Sequence, residues 1–146
     1  MEIILVVVGN RDYDNYEFFC KTMDRYIAHF GYDIRKVYSG DAPGIDQMTE
    51  DWALSRGHKF EAIPAVWQLP DGTTDRGAGM KRNEILVAKG THVVAFWDGK
   101  STGTKHSSGL AKELNKTRMI VPIVATKKRY YCARWKTIYA ERNKAA

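Results

Sequence analysis

The sequence is short of the residues that staple or metallate small domains. It has two cysteines, Cys20 and Cys132, and four histidines, His29, His58, His92 and His106. Two thiols are too few for a disulfide scaffold, and neither stands near a Cys or His at metal-ligand spacing. The histidines are scattered, and none pairs at i, i+3 or i+4 with another ligand type in a way that suggests zinc, so no metal and no cofactor is expected. Long apolar runs are also missing: the longest, Ile3 to Val8, is far too short to span a bilayer. No basic segment precedes that run, which reads as a buried strand and not as a signal peptide. A cytoplasmic protein without a membrane partner is the expectation. The body has no excess charge of either sign. Seven of the 23 basic residues lie from Lys127 on (Lys127, Lys128, Arg129, Arg134, Lys136, Arg142, Lys144), against one of the 17 acidic ones, Glu141. The first 126 residues therefore carry 16 of each, and the net charge of +6 belongs to the tail. A uniformly basic nucleic-acid binder is excluded, and any such argument must rest on the tail or on local patches.

What the chain does have is alternation. Apolar runs at Ile3–Val8, Ile34–Tyr38, Lys59–Ile63, His92–Phe96 and Met119–Val124 read as strands. Between them, Asn15–Phe30, Ile45–Arg56, Ala78–Ala88 and Thr104–Leu114 read as helices, with Met48, Trp52 and Leu54 as core contacts of the second. A long Pro/Gly/Asp loop, Pro64–Gly77, follows the third strand. Arg129–Glu141 reads as a closing helix, because Tyr131, Trp135, Ile138 and Tyr139 fall on one face. Strands that are apolar throughout, each followed by a helix, predict an α/β fold: a Rossmann-like, doubly wound, mainly parallel five-stranded sheet with helices on both faces. Residues 1–126 form the body, and the basic segment 127–146 closes the same domain.

In such sheets ligands bind beyond the carboxyl ends of the strands. Three glycine-bearing loops leave strands at that edge: Gly9–Tyr13, Ser39–Gly44 and Trp97–Thr104. In Ser39-Gly-Asp-Ala-Pro-Gly-Ile-Asp46, Gly40 permits positive φ, Gly44 permits close approach, and the amides that follow suit a phosphate. The turn reads equally as a tight turn with a cap. In Asp98-Gly-Lys-Ser-Thr-Gly-Thr104 the amides and the hydroxyls of Ser101, Thr102 and Thr104 are donors for phosphate oxygens, and Lys100 adds charge. It is not a P-loop, since no GxxxxGK[ST] is present. Thr102 or Thr104 as a helix cap is the alternative there. Arg11 is suited to clamp a phosphate or stack on a base, and Asp12 to accept from a ribose hydroxyl. Asp12 or Asp14 as a helix cap is the competing reading. Arg82, Asn83 and Glu84 open the third helix toward the same edge, and Trp67 or Trp97 is placed to pack a base.

Taken together, G-N-R-D after the first strand, S-G-D-A-P-G-I-D after the second, A-G-x-x-R-N-E opening a helix, and A-F-W-D-G-K-S-T-G-T closely resemble the SLOG superfamily. The resemblance is to its YspA/cpYpsA-related branch of small bacterial and phage proteins, and it runs from about Ile3 to Val124. It implies a Rossmann-like nucleotide-binding fold in which Gly9, Arg11, Ser39, Gly40, Gly44, Asp46, Arg82, Asn83, Asp98, Gly99, Ser101, Gly103 and Thr104 line the ligand site. The superfamily includes sensors of nucleotide signals, the "lonely guy" phosphoribohydrolases, and DNA-processing proteins that bind single-stranded DNA. Family habit also implies a phage or prophage source and a homodimer or larger homo-oligomer. One departure bears on activity. The phosphoribohydrolases carry P-G-G-x-G-T-x-x-E, and where that glutamate would stand this chain has Ser107. A serine neither stabilises an oxocarbenium-like charge nor activates water as a carboxylate does.

The leading expectation is therefore binding of a nucleotide or nucleotide-derived ligand, as sensor or sponge, with phosphate on the amides after Gly40 and Gly103. An N-glycosidic hydrolase of nucleoside monophosphates is one alternative, with Arg82 and Glu84 as candidate catalytic residues and Asp98 or Asp12 as other sources of the acid. Single-stranded DNA binding is the other, resting on Tyr130, Tyr131, Trp135 and Tyr139 interleaved with the tail's cations. The competing reading of those aromatics is a closing helix packed on the body or on a second subunit.

Overall fold

The apolar run behind Met1 becomes the central strand of a five-stranded sheet. In chain order the elements are β1 (Glu2–Gly9), α1 (Tyr16–Phe30), β2 (Asp33–Ser39), α2 (Ile45–Ser55), β3 (Phe60–Ala62), α3 (Ala78–Lys89), β4 (His92–Trp97), α4 (Thr102–Glu113), β5 (Thr117–Pro122) and α5 (Ala133–Ala145). The computed structural model describes residues 1–145. Ala146 and the side chains from Asn143 on, including Lys144 of the basic tail, lie outside the described residues. No helix among these residues is long and apolar enough to cross a membrane.

The strand order is β3-β2-β1-β4-β5, and every pairing is parallel. Alternate residues of β1 supply the two cores, as the two-residue period of a strand requires. Leu5 and Val7 pack with Phe19 and Met23 of α1, Met48 and Trp52 of α2, and Phe96. Val6 and Val8 pack on the other face with Leu86 and Val87 of α3, Val93, Ala95 and Ala111. The sheet is thus covered on both sides, which is why its inner strands are apolar without alternation. Helix α1 starts where the Asn15 side chain accepts the Phe18 amide at 3.1 Å, so Asn15 is the cap and neither Asp12 nor Asp14 is. It stops at Gly31, whose φ of +63° is left-handed.

Several expected boundaries move. The third strand pairs only over Phe60–Ala62, and the fifth begins at Thr117 and ends at Pro122. Helix α4 starts at Thr102 because Ser101 caps it, not Thr102 or Thr104. The last helix begins at Ala133, four residues later than its aromatic spacing suggests. Leu54 is 58% exposed and is not a core contact. It lies two residues from Trp52, about 200° round the helix, whereas Met48 and Trp52 share a face at i, i+4.

Candidate functional site

The strand order reverses at β1, so the carboxyl ends of β1 and β4 open a crevice where sheets of this kind bind ligands. A cleft of about 540 Å³ lies there. Its walls are the loop after β1 (Asn10, Arg11, Asp12), the loop after β4 (Asp98, Lys100, Ser101) and the first turns of α3 and α4. Trp67 and Arg76 of the long loop complete the rim. The floor is buried and includes Val8, Arg82, Asn83, Leu86, Thr104 and Ser107; Arg11, Trp67, Arg76, Lys100 and Thr102 are exposed round the mouth.

The start of α4 is prepared for an anion. Gly99, at φ +83°, turns the chain so that Asp98 Oδ1 accepts the amides of Lys100 and Ser101, each at 2.9 Å. Partial burial works against the charge on Asp98, but these amides outweigh it and hold its pKa below the ordinary aspartate value. Ser101 Oγ accepts the Thr104 amide at 3.4 Å. Among the described residues the amides of Thr102 and Gly103 have no acceptor. They are orphan donors at the positive end of a helix, which favours an anion. A side chain built on Gly103 meets only Asn83 Nδ2, at 3.9 Å, so the space above these amides is open. Further in, the Ser107 hydroxyl is buried without a hydrogen-bond partner.

The S-G-D-A-P-G-I-D turn does something else. Three of its amides are already engaged: Ala42 N donates to Asp46 Oδ2 (3.2 Å), Gly44 N to the Tyr130 carbonyl (2.9 Å) and Ile45 N to the Asn10 carbonyl (3.1 Å). The expected phosphate after Gly40 therefore finds the Ala42, Gly44 and Ile45 donors already spent. The turn holds the Asp46 carboxylate instead, which also accepts from Ser39 Oγ at 3.0 Å. Burial pushes Asp46 up to about 6, against the pull of the Arg82 charge, the Ser39 hydroxyl and the Ala42 amide. Arg82 is fixed beside it, donating from Nε to Asn83 Oδ1 at 3.0 Å and, over longer distances, to Asp41 and the Ile63 carbonyl. Gly40 is required because a Cβ there would run into the Arg82 guanidinium and the Asp46 carboxylate.

Of the residues expected at the site, the cleft gathers Gly9, Arg11, Asp12, Asp46, Arg82, Asn83, Asp98, Ser101, Gly103 and Thr104. Ser39, Gly40, Gly44 and Gly99 are outside the lining and shape it from behind. Glu84 is exposed and also outside it, so the structure does not bring this candidate acid to the cleft. Arg76 was not singled out in the sequence because it sits in an irregular loop without a motif. Among the described residues no cluster of His, Cys, Asp and Glu is arranged to hold a metal.

The C-terminal segment reaches the same place. Arg129 Nε donates to Asp12 Oδ1 at 3.1 Å, and the Tyr130 ring stacks on Tyr16 at 5.0 Å while its hydroxyl donates to Asp51 (2.6 Å). Cys132 is buried, its amide on Gln47 Oε1 (2.8 Å) and its thiol on Glu50 Oε2 (3.3 Å). Arg134 grips Glu50 through two bonds of 2.9 and 3.0 Å. Past Arg134, no hydrogen bond or ion pair ties α5 to the body among the described residues. Tyr131, Trp135 and Tyr139 stack on one another, with ring centroids 4.2 and 5.1 Å apart. The aromatics of the tail are therefore divided: Tyr130 packs on the body, and the other three form an outward ladder.

The strand order and the two helical layers define a Rossmann-like α/β protein. Residues 3–69 match the family described as YspA, cpYpsA-related SLOG family, in agreement with the motifs. No curated protein matches the chain. Among solved structures, DNA processing protein A from Streptococcus pneumoniae is similar at a TM-score of 0.65 and 18% identity, over 84% of this chain and 51% of that one. The chain thus spans about half the length of the pneumococcal protein. DNA processing protein A from Helicobacter pylori, whose structure is described for its single-stranded DNA binding mode, is similar at a TM-score of 0.60 and 18% identity, over 95% of this chain and 73% of that one. At this identity the likeness shows the fold alone.

Proposed function

We propose that this chain binds single-stranded nucleic acid, seating one nucleotide in the cleft with a backbone phosphate on the amides of Thr102 and Gly103. The observation that carries the reading is the pair of unengaged amides at the head of α4, ringed by Arg11, Arg76 and Lys100. Phosphate contacts from amides and cations supply sequence-independent affinity, and Trp67 at the rim offers a face for a base. The likeness in fold to two DNA-processing proteins, one described for single-stranded DNA binding, supports this over nucleotide sensing. A free nucleotide is the second reading, favoured by a cleft volume within the ordinary range for small ligands, about 300–1,000 Å³. Cleavage is not part of the proposal: Asp12, Asp46 and Asp98 each have a partner within the chain.

The test is fluorescence anisotropy with labelled oligonucleotides of increasing length, at several salt concentrations, with mononucleotides as competitors. Affinity that grows with length and falls with salt is expected. Gly103→Val keeps the fold, since the added group meets only Asn83, and is expected to weaken strand binding at least tenfold. Length-independent binding, or a strand affinity indifferent to Gly103→Val, overturns the proposal.

A further inference from the structure

The cleft has a buried floor and an exposed mouth. Below the mouth it is closed by β1, α3 and α4, through the buried residues Val8, Leu86 and Asn83. At that depth Ser107 is 1% exposed, and its hydroxyl has no hydrogen-bond partner among the described residues. A buried hydroxyl without a partner costs free energy unless something completes it. Ser107 stands four to five residues along α4 from the two open amides, which places it roughly 6–7 Å deeper. A ligand that meets both must hold its phosphate at the mouth and push a neutral polar group down to the floor. The charges follow the same division, with Arg11, Arg76 and Lys100 exposed where a continuing anionic backbone would leave.

From this we infer that the cleft takes the end of a strand: the terminal nucleoside enters first, a sugar hydroxyl or base edge completes Ser107, and the phosphate linking it to the rest of the chain rests on the α4 amides. This rests on the strand-binding reading above and adds to it. The interior of a strand has a backbone leaving in two directions, whereas a strand end lets the nucleoside reach the buried floor with its backbone leaving once, by the mouth. Serine fits the role because a neutral hydroxyl both donates to and accepts from a sugar hydroxyl or base edge.

The experiment compares one labelled linear oligonucleotide with a ligated circle of the same sequence, and with versions whose 5′ or 3′ end is closed by a hairpin. The linear strand is expected to bind at least tenfold more tightly than the circle, with one of the two closures reproducing the loss. Ser107→Ala is expected to weaken linear binding about five- to tenfold, the range of one hydrogen bond, and to leave the circle unchanged. Because the hydroxyl has no partner in the chain, the melting temperature of that variant should equal or exceed that of the parent. Equal affinity for linear and circular strands overturns the strand-end inference and leaves the strand reading standing. Binding of mononucleotides with no strand binding overturns both.

Discussion

Ser39 and Asp46 stand 3.0 Å apart, and the Ser39 hydroxyl, with one hydrogen, faces both Asp46 Oδ1 and the Val7 carbonyl at 2.7 Å. With Asp46 ionised, that hydrogen serves two acceptors. With Asp46 protonated, the carboxyl donates to Ser39 and Ser39 donates to Val7, so each group is satisfied. The geometry agrees with a pKa raised to about 6, of which burial is the largest cause.

A pH dependence follows from this pair. A carboxyl whose folded pKa is raised contributes stability that is fully present below its unfolded value and is lost as pH rises through the folded value. The window runs from about pH 4 to about pH 6, and a shift of this size corresponds to about 3 kcal/mol. Asp46→Asn keeps an acceptor for Ala42 and a donor for Ser39 without the titration. Denaturant unfolding of both proteins at pH 4.5 and pH 7 is expected to show the parent losing stability relative to the variant at the higher pH. A constant difference would exclude Asp46 as the titrating group.

Two glycines separate backbone strain from crowding. Gly44 has φ +80°, and a Cβ there would strike the Asn10 and Arg11 carbonyls. Gly31 is also left-handed, at φ +63°, but has open space around it. Gly31→Ala is expected to cost about 1 kcal/mol from conformation alone. Gly44→Ala is expected to cost on the order of 3 kcal/mol and to displace the cleft loop. Thermal unfolding of the two variants, with the cleft's oligonucleotide affinity measured beside it, checks both; equal costs would count against the close approach of the two loops.

The strands and most of the cleft were legible because they depend on local pattern. Ile3–Val8 can only be buried, and glycine loops behind parallel strands gather at one edge. What was not legible depends on partners distant in sequence. Spacing cannot tell that the Ala42, Gly44 and Ile45 amides are spent on Asp46, Tyr130 and Asn10, whereas among the described residues those of Thr102 and Gly103 have no acceptor. The late start of α5 has the same origin. Tyr131, Trp135 and Tyr139 do keep helical spacing, but Gln47, 85 residues away, holds the Cys132 amide and keeps the preceding segment out of the helix. Ser107 was visible in the sequence only as an acid that is missing.

Glu50 anchors that segment. Its side chain is 7% exposed and takes two bonds from Arg134 and one from the Cys132 thiol. Glu50→Ala removes both oxygens that accept these three bonds, and a loss of about 2 kcal/mol is expected. The loss should be local. Limited trypsin digestion at Lys127, Lys128 and Arg129 is expected to quicken well before the body unfolds, since only Arg129, Tyr130 and the Cys132 and Ala133 amides would then hold the strap. Unchanged cleavage rates would mean that Tyr130 on Tyr16 and Asp51 suffices.

The ladder of half-buried Tyr131 and Trp135 and exposed Tyr139 can be tested without disturbing the strap. A deletion from Lys127 would also remove Tyr130 and the buried Cys132, so loss of binding there would report misfolding. Truncation after Arg134 keeps the Glu50 grip and removes Trp135, Lys136, Tyr139 and Arg142. A base stacked on an aromatic ring contributes about 1–3 kcal/mol, and each phosphate contact steepens the salt dependence. If a strand held in the cleft runs on past Asp12 and Arg129, it meets this helix next. The truncated chain is then expected to bind long oligonucleotides at least fivefold more weakly, with a shallower salt slope, while short ones that fill only the cleft bind as before. Equal loss for short and long strands would place the effect in the cleft, and no loss for either would leave the ladder to a protein partner or a second copy.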